Sequence, residues 1–285
     1  MTRPLVSVSQ ITTFGASFGD DVRAYAAAGL DGIGVWELKL ADDSLELFEA
    51  SGLASAAAVP NVPSILPLPL LGGPTDPAER VDAFCASLER LAPFRPSGVV
   101  CLTGTADGRD TDDARATVVA GLRTIAAEAE RLGLRIGLEP YQRDGGDLWT
   151  IASTIPEAVE LIHDAGDPPA LGIQFDVWHL WNTPTLADDI AHEVGRFVGV
   201  HVCDVREPTR GWADRALPGE GRAGVAWILR ALDDAGWNGL YDVEIFSDNG
   251  TFGSPYPDSL WEADPGVLLP RIRSAFSRAW QARTA

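Results

Sequence analysis

One phrase recurs along the chain and narrows the folds open to it: a helical pattern ending in glycine, then an apolar residue, a short gap and a short apolar run. It appears as Ala28-Gly29-Leu30, Ser51-Gly52-Leu53, Leu132-Gly133-Leu134 and Ala235-Gly236-Trp237. Glycine just past a helix accepts the left-handed conformation of a C-terminal cap, and the apolar residue after it seals the helix end. Each copy therefore marks a helix-to-strand junction. The helices carry apolar stripes at a 3.6-residue period, such as Val81, Phe84, Cys85 and Leu88, or Val225, Ile228, Leu229 and Leu232. Asp76-Pro77-Ala78-Glu79 and Thr154-Ile155-Pro156-Glu157 mark helix starts, each with a capping side chain three residues before a glutamate.

Apolar runs near residues 4–9, 31–36, 54–59, 97–103, 135–140, 170–176, 197–203 and 240–245 read as eight strands. Helical patterns follow most of them, near 20–29, 43–51, 77–92, 112–132, 155–165, 185–195, 223–235 and 266–280. Strict alternation predicts a parallel sheet, and about 250 residues plus insertions is the usual size of an α/β fold closed as a single (β/α)8 barrel. The 285 residues then form one domain, 1–285, with loop insertions near 61–75, 205–221 and 247–264. A doubly wound open sheet is the competing architecture. The insertions are candidates for a lid or a subunit contact, which leaves a homo-oligomer open.

Charge and cysteine content exclude several classes of partner. With 22 Lys+Arg against 41 Asp+Glu the formal net charge is −19, a field that repels nucleic-acid phosphates and anionic membrane surfaces. Cys85, Cys101 and Cys203 are odd in number, widely spaced and without a CxxC pair, so they indicate neither a disulfide scaffold nor a thiolate zinc site. No stretch approaches the roughly 18 apolar residues of a membrane helix. The expectation is a cytoplasmic protein with neither a nucleic-acid nor a membrane partner. Gly219-Glu220-Gly221-Arg222-Ala223-Gly224 formally fits a dinucleotide fingerprint, but it follows a loop rather than a strand.

Strand parity carries the chemistry. Side chains in a barrel strand alternate between the interior and the helix layer. In Arg135-Ile136-Gly137-Leu138-Glu139, Ile136 and Leu138 take the helix-facing parity and Glu139 points inward. In Leu171-Gly172-Ile173-Gln174-Phe175-Asp176 the apolar parity leaves Asp176 inward, and in Tyr241-Asp242-Val243-Glu244 it leaves Glu244 inward. In Val198-Gly199-Val200-His201-Val202 the valines face the helices and His201 faces in. Three carboxylates gathered in one interior cannot all stay ionised without a cation. Carboxylate oxygens with one imidazole suit a single divalent ion, Mn²⁺ or Mg²⁺ first, then Co²⁺ or Zn²⁺. Trp36 has inward parity at the end of the second strand, where it can form an apolar wall or simply fill the barrel.

Gly137-Leu138-Glu139-Pro140, Phe175-Asp176-Val177-Trp178-His179, Val200-His201-Val202-Cys203-Asp204 and Val243-Glu244 together resemble the four metal-strand motifs of the xylose-isomerase-like superfamily of TIM barrels, the sugar isomerases and epimerases. The resemblance spans essentially the whole chain. It implies a metal held by Glu139, Asp176, His201 and Glu244, with Glu139 and Glu244 as catalytic acid and base on opposite faces of a small polyhydroxy substrate. The metal would chelate a carbonyl oxygen and a neighbouring hydroxyl, so that the proton between them is removed through an enediolate. His179 matches the family's substrate-binding histidine in the D-x-x-H phrase. Arg215 matches its substrate-binding arginine, with Arg206 as the rival.

The leading reading is a metal-dependent isomerase or epimerase of a small sugar, ketose or inosose. The alternative is a lyase or dehydratase that uses the same site on a keto-sugar, inosose or keto-glycoside. The superfamily's endonucleases need a metal cluster richer in histidine than this chain's His163, His179, His192 and His201 provide, and two of these fall on expected surface helices.

Overall fold

In the computed structural model, residues 3–69, 71–141, 149–253 and 255–284 are described. Eight parallel strands close into a barrel in chain order: Leu5–Ser9, Gly32–Trp36, Ala54–Val59, Gly98–Cys101, Ile136–Leu138, Leu171–Asp176, Phe197–Val202 and Leu240–Val243, the last pairing with the first. This is the single (β/α)8 barrel, and the doubly wound alternative falls away. The helices between strands run Phe18–Ala27, Ser44–Ser51, Pro77–Leu91, Thr111–Leu132, Ile155–Asp164, Leu186–Glu193 and Val225–Asp234, and Pro265–Ala282 closes the chain. All but one residue of the two expected stripes are buried, Cys85 being half-buried.

The local signals act as physical chemistry requires. Gly29, Gly52, Gly133 and Gly236 all have φ between 67° and 92°, the left-handed region that a side chain penalises. Thr154 accepts the amide of Glu157, while the Glu157 carboxylate reaches back to the amide of Ser153, a capping box displaced by one residue.

Two pairings shift register, strand two on strand three and strand six on strand seven, and the second overturns a parity reading. Ile173 pairs with Phe197 but Gln174 pairs with Gly199, so Val198 is the extra residue of a bulge. It points into the barrel instead of toward the helices. A Cβ added at Gly98, Gly137 or Gly172 would lie 2.5–2.7 Å from a Val198 methyl, so three strands present glycine to make room for one valine. Val198 thereby fills the interior beside those three strands, below the strand ends that carry Glu139, Asp176 and His201.

Of the insertions, the described part of 61–75 folds over the ends of strands three and four, where Ser64 pairs with Leu102. Segment 205–221 opens as a hairpin, Asp204–Val205 pairing antiparallel with Arg215–Ala216. Segment 247–264 is tied to that hairpin through Asp214 and Ser247. Leu70, Ser254 and the chain ends Met1, Thr2 and Ala285 lie outside the described residues.

Beneath the first helix, Asp21 is fully buried and accepts from Gln10 (2.9 Å), Thr13 (2.6 Å) and Lys39 (2.8 Å). Lys39 also donates to the Thr13 carbonyl at 2.7 Å, so the group joins the ends of the first two strands. Removing one partner of a buried pair leaves the other charge uncompensated, at a cost of about 3–5 kcal/mol. Asp21→Ala is therefore expected to lower unfolding free energy by about that amount in urea titrations, with the far-UV circular dichroism of the folded state unchanged.

Candidate metal centre

Each of the four inward residues sits at the C-terminal end of its strand, the face where barrel active sites are built. Glu139 directly follows the fifth strand, and its amide continues the ladder to the Cys101 carbonyl (2.9 Å). Asp176 ends the sixth strand and caps the helical turn Val177–Leu180 by accepting the Trp178 amide at 2.7 Å. His201 pairs in register with Asp176 on one side and Asp242 on the other. Glu244 follows the eighth strand, its amide bonded to the Val202 carbonyl (3.2 Å). All four side chains are buried.

The structure brings them together. His201 Nδ1 lies 3.5 Å from Glu139 Oε1 and 3.5 Å from Glu244 Oε2. Ligand-type atoms of Asp176, His201 and Glu244 fall within 4.8 Å of one another, and so do those of Glu139, Asp176 and His179. Glu139 Oε1 and both ring nitrogens of His179 and His201 are buried without a hydrogen-bond partner. Buried polar atoms left open in a converging set are what a cation would satisfy, and oxygen with imidazole is a donor set suited to a divalent ion.

Arg215 holds the position between the carboxylates. The hairpin turns its guanidinium inward, where Nη1 donates to Asp176 Oδ2 at 2.9 Å and Glu244 Oε2 at 3.0 Å. It lies over the rings of Phe246 and Trp178. Arg206, the rival, stays outside the cluster and pairs with Asp214 (2.8 Å) and Asp258 (3.4 Å). His179 lies 3.7 Å from Asp176 Oδ2 and stacks on Tyr141 with ring centres 3.6 Å apart. Trp36 lines the cleft above the cluster; its indole N–H donates to Ser9 Oγ (2.8 Å), whose hydroxyl donates to Glu244 Oε1 (3.4 Å). Trp181 instead carries the Arg222 guanidinium on its ring, and His163 and His192 are exposed on helices.

Burial and charge pull the protons in opposite directions. Burial lifts the Glu139 carboxyl to about 7, reinforced by Asp176 and Glu244 and opposed by His201. Burial works against a charged His201, yet Glu244, Glu139 and Asp242 prevail and raise it to about 10. Burial takes His179 down to about 3, so its ring is neutral. Asp176 is held below the usual carboxylate range: burial opposes its charge, but Arg215 foremost, then His179 and His201, outweigh it.

Asp242 is the residue that sequence reasoning passed over. It shares the parity of Glu244, two positions earlier, and a consistent parity rule finds it. Its carboxylate, buried without hydrogen bonds, lies 3.8 Å from His201 Nε2, the nitrogen turned away from the other ligand-type atoms. A Cβ on Gly34 would lie 2.2 Å from Asp242 Oδ2, so the glycine opens the space the carboxylate occupies. Burial raises this carboxyl to about 7.

With this geometry established, the family follows. Residues 22–270 match the xylose isomerase-like TIM barrel family, to which this chain belongs. Among solved structures, SMc04130 from Sinorhizobium meliloti 1021 superposes with a TM-score of 0.84 at 21% identity, covering 96% of this chain and 98% of its own. The zinc-bound IolI protein matches at 0.77 and 18% identity over 96% of this chain and 97% of its own. An L-ribulose 3-epimerase matches at 0.77 and 18% identity over 99% and 96% of the two chains. No curated protein matches the chain in sequence. Among the described residues, no helix is long and apolar enough to cross a membrane.

A divalent ion entering this candidate site would have to displace the protons that His201 holds up to about 10 and Glu139 up to about 7. Binding therefore releases protons and tightens as pH rises. Calorimetric titration with Mn²⁺ is expected to show affinity falling progressively from about pH 8 to about pH 6; a flat profile contradicts the protonated cluster.

Proposed function

We propose that this protein is a metal-dependent isomerase or epimerase of a small α-hydroxy carbonyl compound, such as a ketose, sugar or inosose. The observation that carries this reading is the approach of two glutamates from the fifth and eighth strands, each 3.5 Å from the same His201 nitrogen. Family membership and the L-ribulose and D-psicose 3-epimerases among the structural relatives support it.

Glu139, Asp176, His201 and Glu244 would hold one divalent ion, Mn²⁺ or Mg²⁺ first and Co²⁺ or Zn²⁺ as further fits, which would supply positive charge to stabilise developing negative charge on a substrate oxygen. Glu139, buried at the end of the fifth strand, is placed to take a proton from one face of the substrate and return it. Glu244 is oriented by Ser9 and Arg215 so that one carboxylate oxygen faces each, and it serves the other face of the substrate. Arg215 and the neutral His179 hold substrate oxygens, and Trp36 forms the apolar wall. The three free cysteines fit a cytoplasmic setting.

A second reading keeps the same proton removal and follows it with loss of a β-substituent, making the protein a lyase or dehydratase. The apolar cleft beside the cluster favours retaining it, because a leaving group larger than hydroxyl has somewhere to go. A dehydrated or cleaved product, seen by mass spectrometry, replaces the isomerase reading with this one.

Glu139→Gln and Glu244→Gln are each expected to lower turnover about a hundredfold or more, with the fold retained. Deuterium uptake from D₂O into a panel of ketoses, inososes and keto-glycosides is the measurement. Unchanged exchange in either variant removes that glutamate from the proton transfer.

A further inference from the structure

The cleft over the cluster has walls out of keeping with a free sugar. Phe14, Trp36, Trp149, Trp212, Phe246 and Phe252 stand around it. They come from separate parts of the chain: the end of strand two, the segments after strands one, five and eight, and two of the insertions. Trp212 is their hub, 5.1 Å edge-on from both Trp149 and Phe252 and 5.5 Å from Phe246. Leu71, from the 61–75 insertion, adds an aliphatic edge.

Above the cluster, polar side chains are sparse among the described residues. Among the described residues lining the cleft, the charged or hydroxyl-bearing side chains are Glu139, His201, Glu244 and Tyr141. The first three belong to the cluster, and the indole N–H of Trp36 is already engaged by Ser9. Sugars do stack one face on an aromatic ring, but the rest of a polyol then needs partners for its hydroxyls. Each hydroxyl enclosed without one is penalised, whereas an arene placed there gains both burial and edge-to-face ring contacts.

We propose that the substrate is an α-hydroxy ketone carrying an aromatic substituent. The ketone end lies at the cluster and the arene lies among Trp149, Trp212 and Phe252. The chemistry assigned to the ketone end rests on the proton-transfer reading above; the arene rests on the aromatic wall.

The test uses the full chain loaded with Mn²⁺ and three probes: 1-hydroxy-3-phenylpropan-2-one, its methyl counterpart 1-hydroxybutan-2-one and D-fructose. The phenyl and methyl probes share one polar end. Affinity is read by isothermal titration calorimetry, and deuterium uptake beside the carbonyl by NMR in D₂O against a chelator-treated blank. The phenyl probe is expected to bind about tenfold or more tightly than the methyl probe, the ratio that about 1.4 kcal/mol makes. In Trp212→Ala and in Phe252→Ala this ratio is expected to fall toward one. Phenyl and methyl probes binding within about twofold of each other, or D-fructose binding most tightly, overturns the proposal whatever is turned over. A strong phenyl preference with no deuterium uptake from any probe supports the arene site and overturns the proton-transfer reading. The wild-type ratio decides by itself, so a variant that fails to fold leaves the test intact.

Discussion

The mutual repulsion of carboxylates inside a closed barrel is the constraint on which the rest of the structure depends. Glu139, Asp176, Asp242 and Glu244 enter one interior from three strands, and none can dilute its charge into solvent. Every notable feature of the upper barrel answers that repulsion. His201 stands between Asp242 on one side and the pair Glu139 and Glu244 on the other, and it keeps a proton there despite being buried. Arg215 crosses the mouth to reach Asp176 and Glu244. Glu139 and Asp242 give up their charge near neutrality, chiefly because they are buried, with the neighbouring carboxylates adding to the effect. A divalent ion is a denser answer to the same problem, which is why the oxygen-rich cluster and a cation belong together in physical terms.

The barrel was legible because its signals are local and repeated. A left-handed glycine after a helix, an apolar stripe and an alternating strand each act within a few residues of chain, and eight repetitions leave little freedom. The convergence of Glu139, Asp176, His201 and Glu244 was legible for a related reason: in a closed barrel, parity and position along the strand specify a location in space. The same rule breaks at Val198, because a bulge depends on what neighbouring strands present, in this case the glycines at 98, 137 and 172. Asp242 was within reach of the rule and was passed over. Motif spacing could not separate Arg215 from Arg206, since the hairpin pairing of 204–205 with 215–216 decides which side chain turns inward. The aromatic wall was the least legible part. Trp149, Trp212 and Phe252 lie in loops without periodicity, and only the closed fold brings them to one cleft.

The division of labour between strands and loops follows from this. Strand ends set the polar floor of the cleft, where the proposed proton transfer and ion binding would need sub-ångström placement, and ladder hydrogen bonds hold Glu139 and Glu244 there. The insertions set its upper walls, which need bulk and apolarity more than precision. Loop sequences can therefore diversify what the cleft encloses while the charged floor stays as it is.

The segment between Val205 and Leu217 joins those two roles on one short piece of backbone. Asp204 gathers the amides of Val205, Gly219 and Ala223 at its base, and Asp214 gathers Arg206 and Arg210 further out. Pinned at both points, the loop carries Trp212 into the aromatic wall and, three residues later, Arg215 into the carboxylates. Shape recognition and charge balance are thus mechanically linked. A change in the length of this loop alters both at once, so the two properties of the cleft are expected to diverge together between relatives, as a single inherited unit.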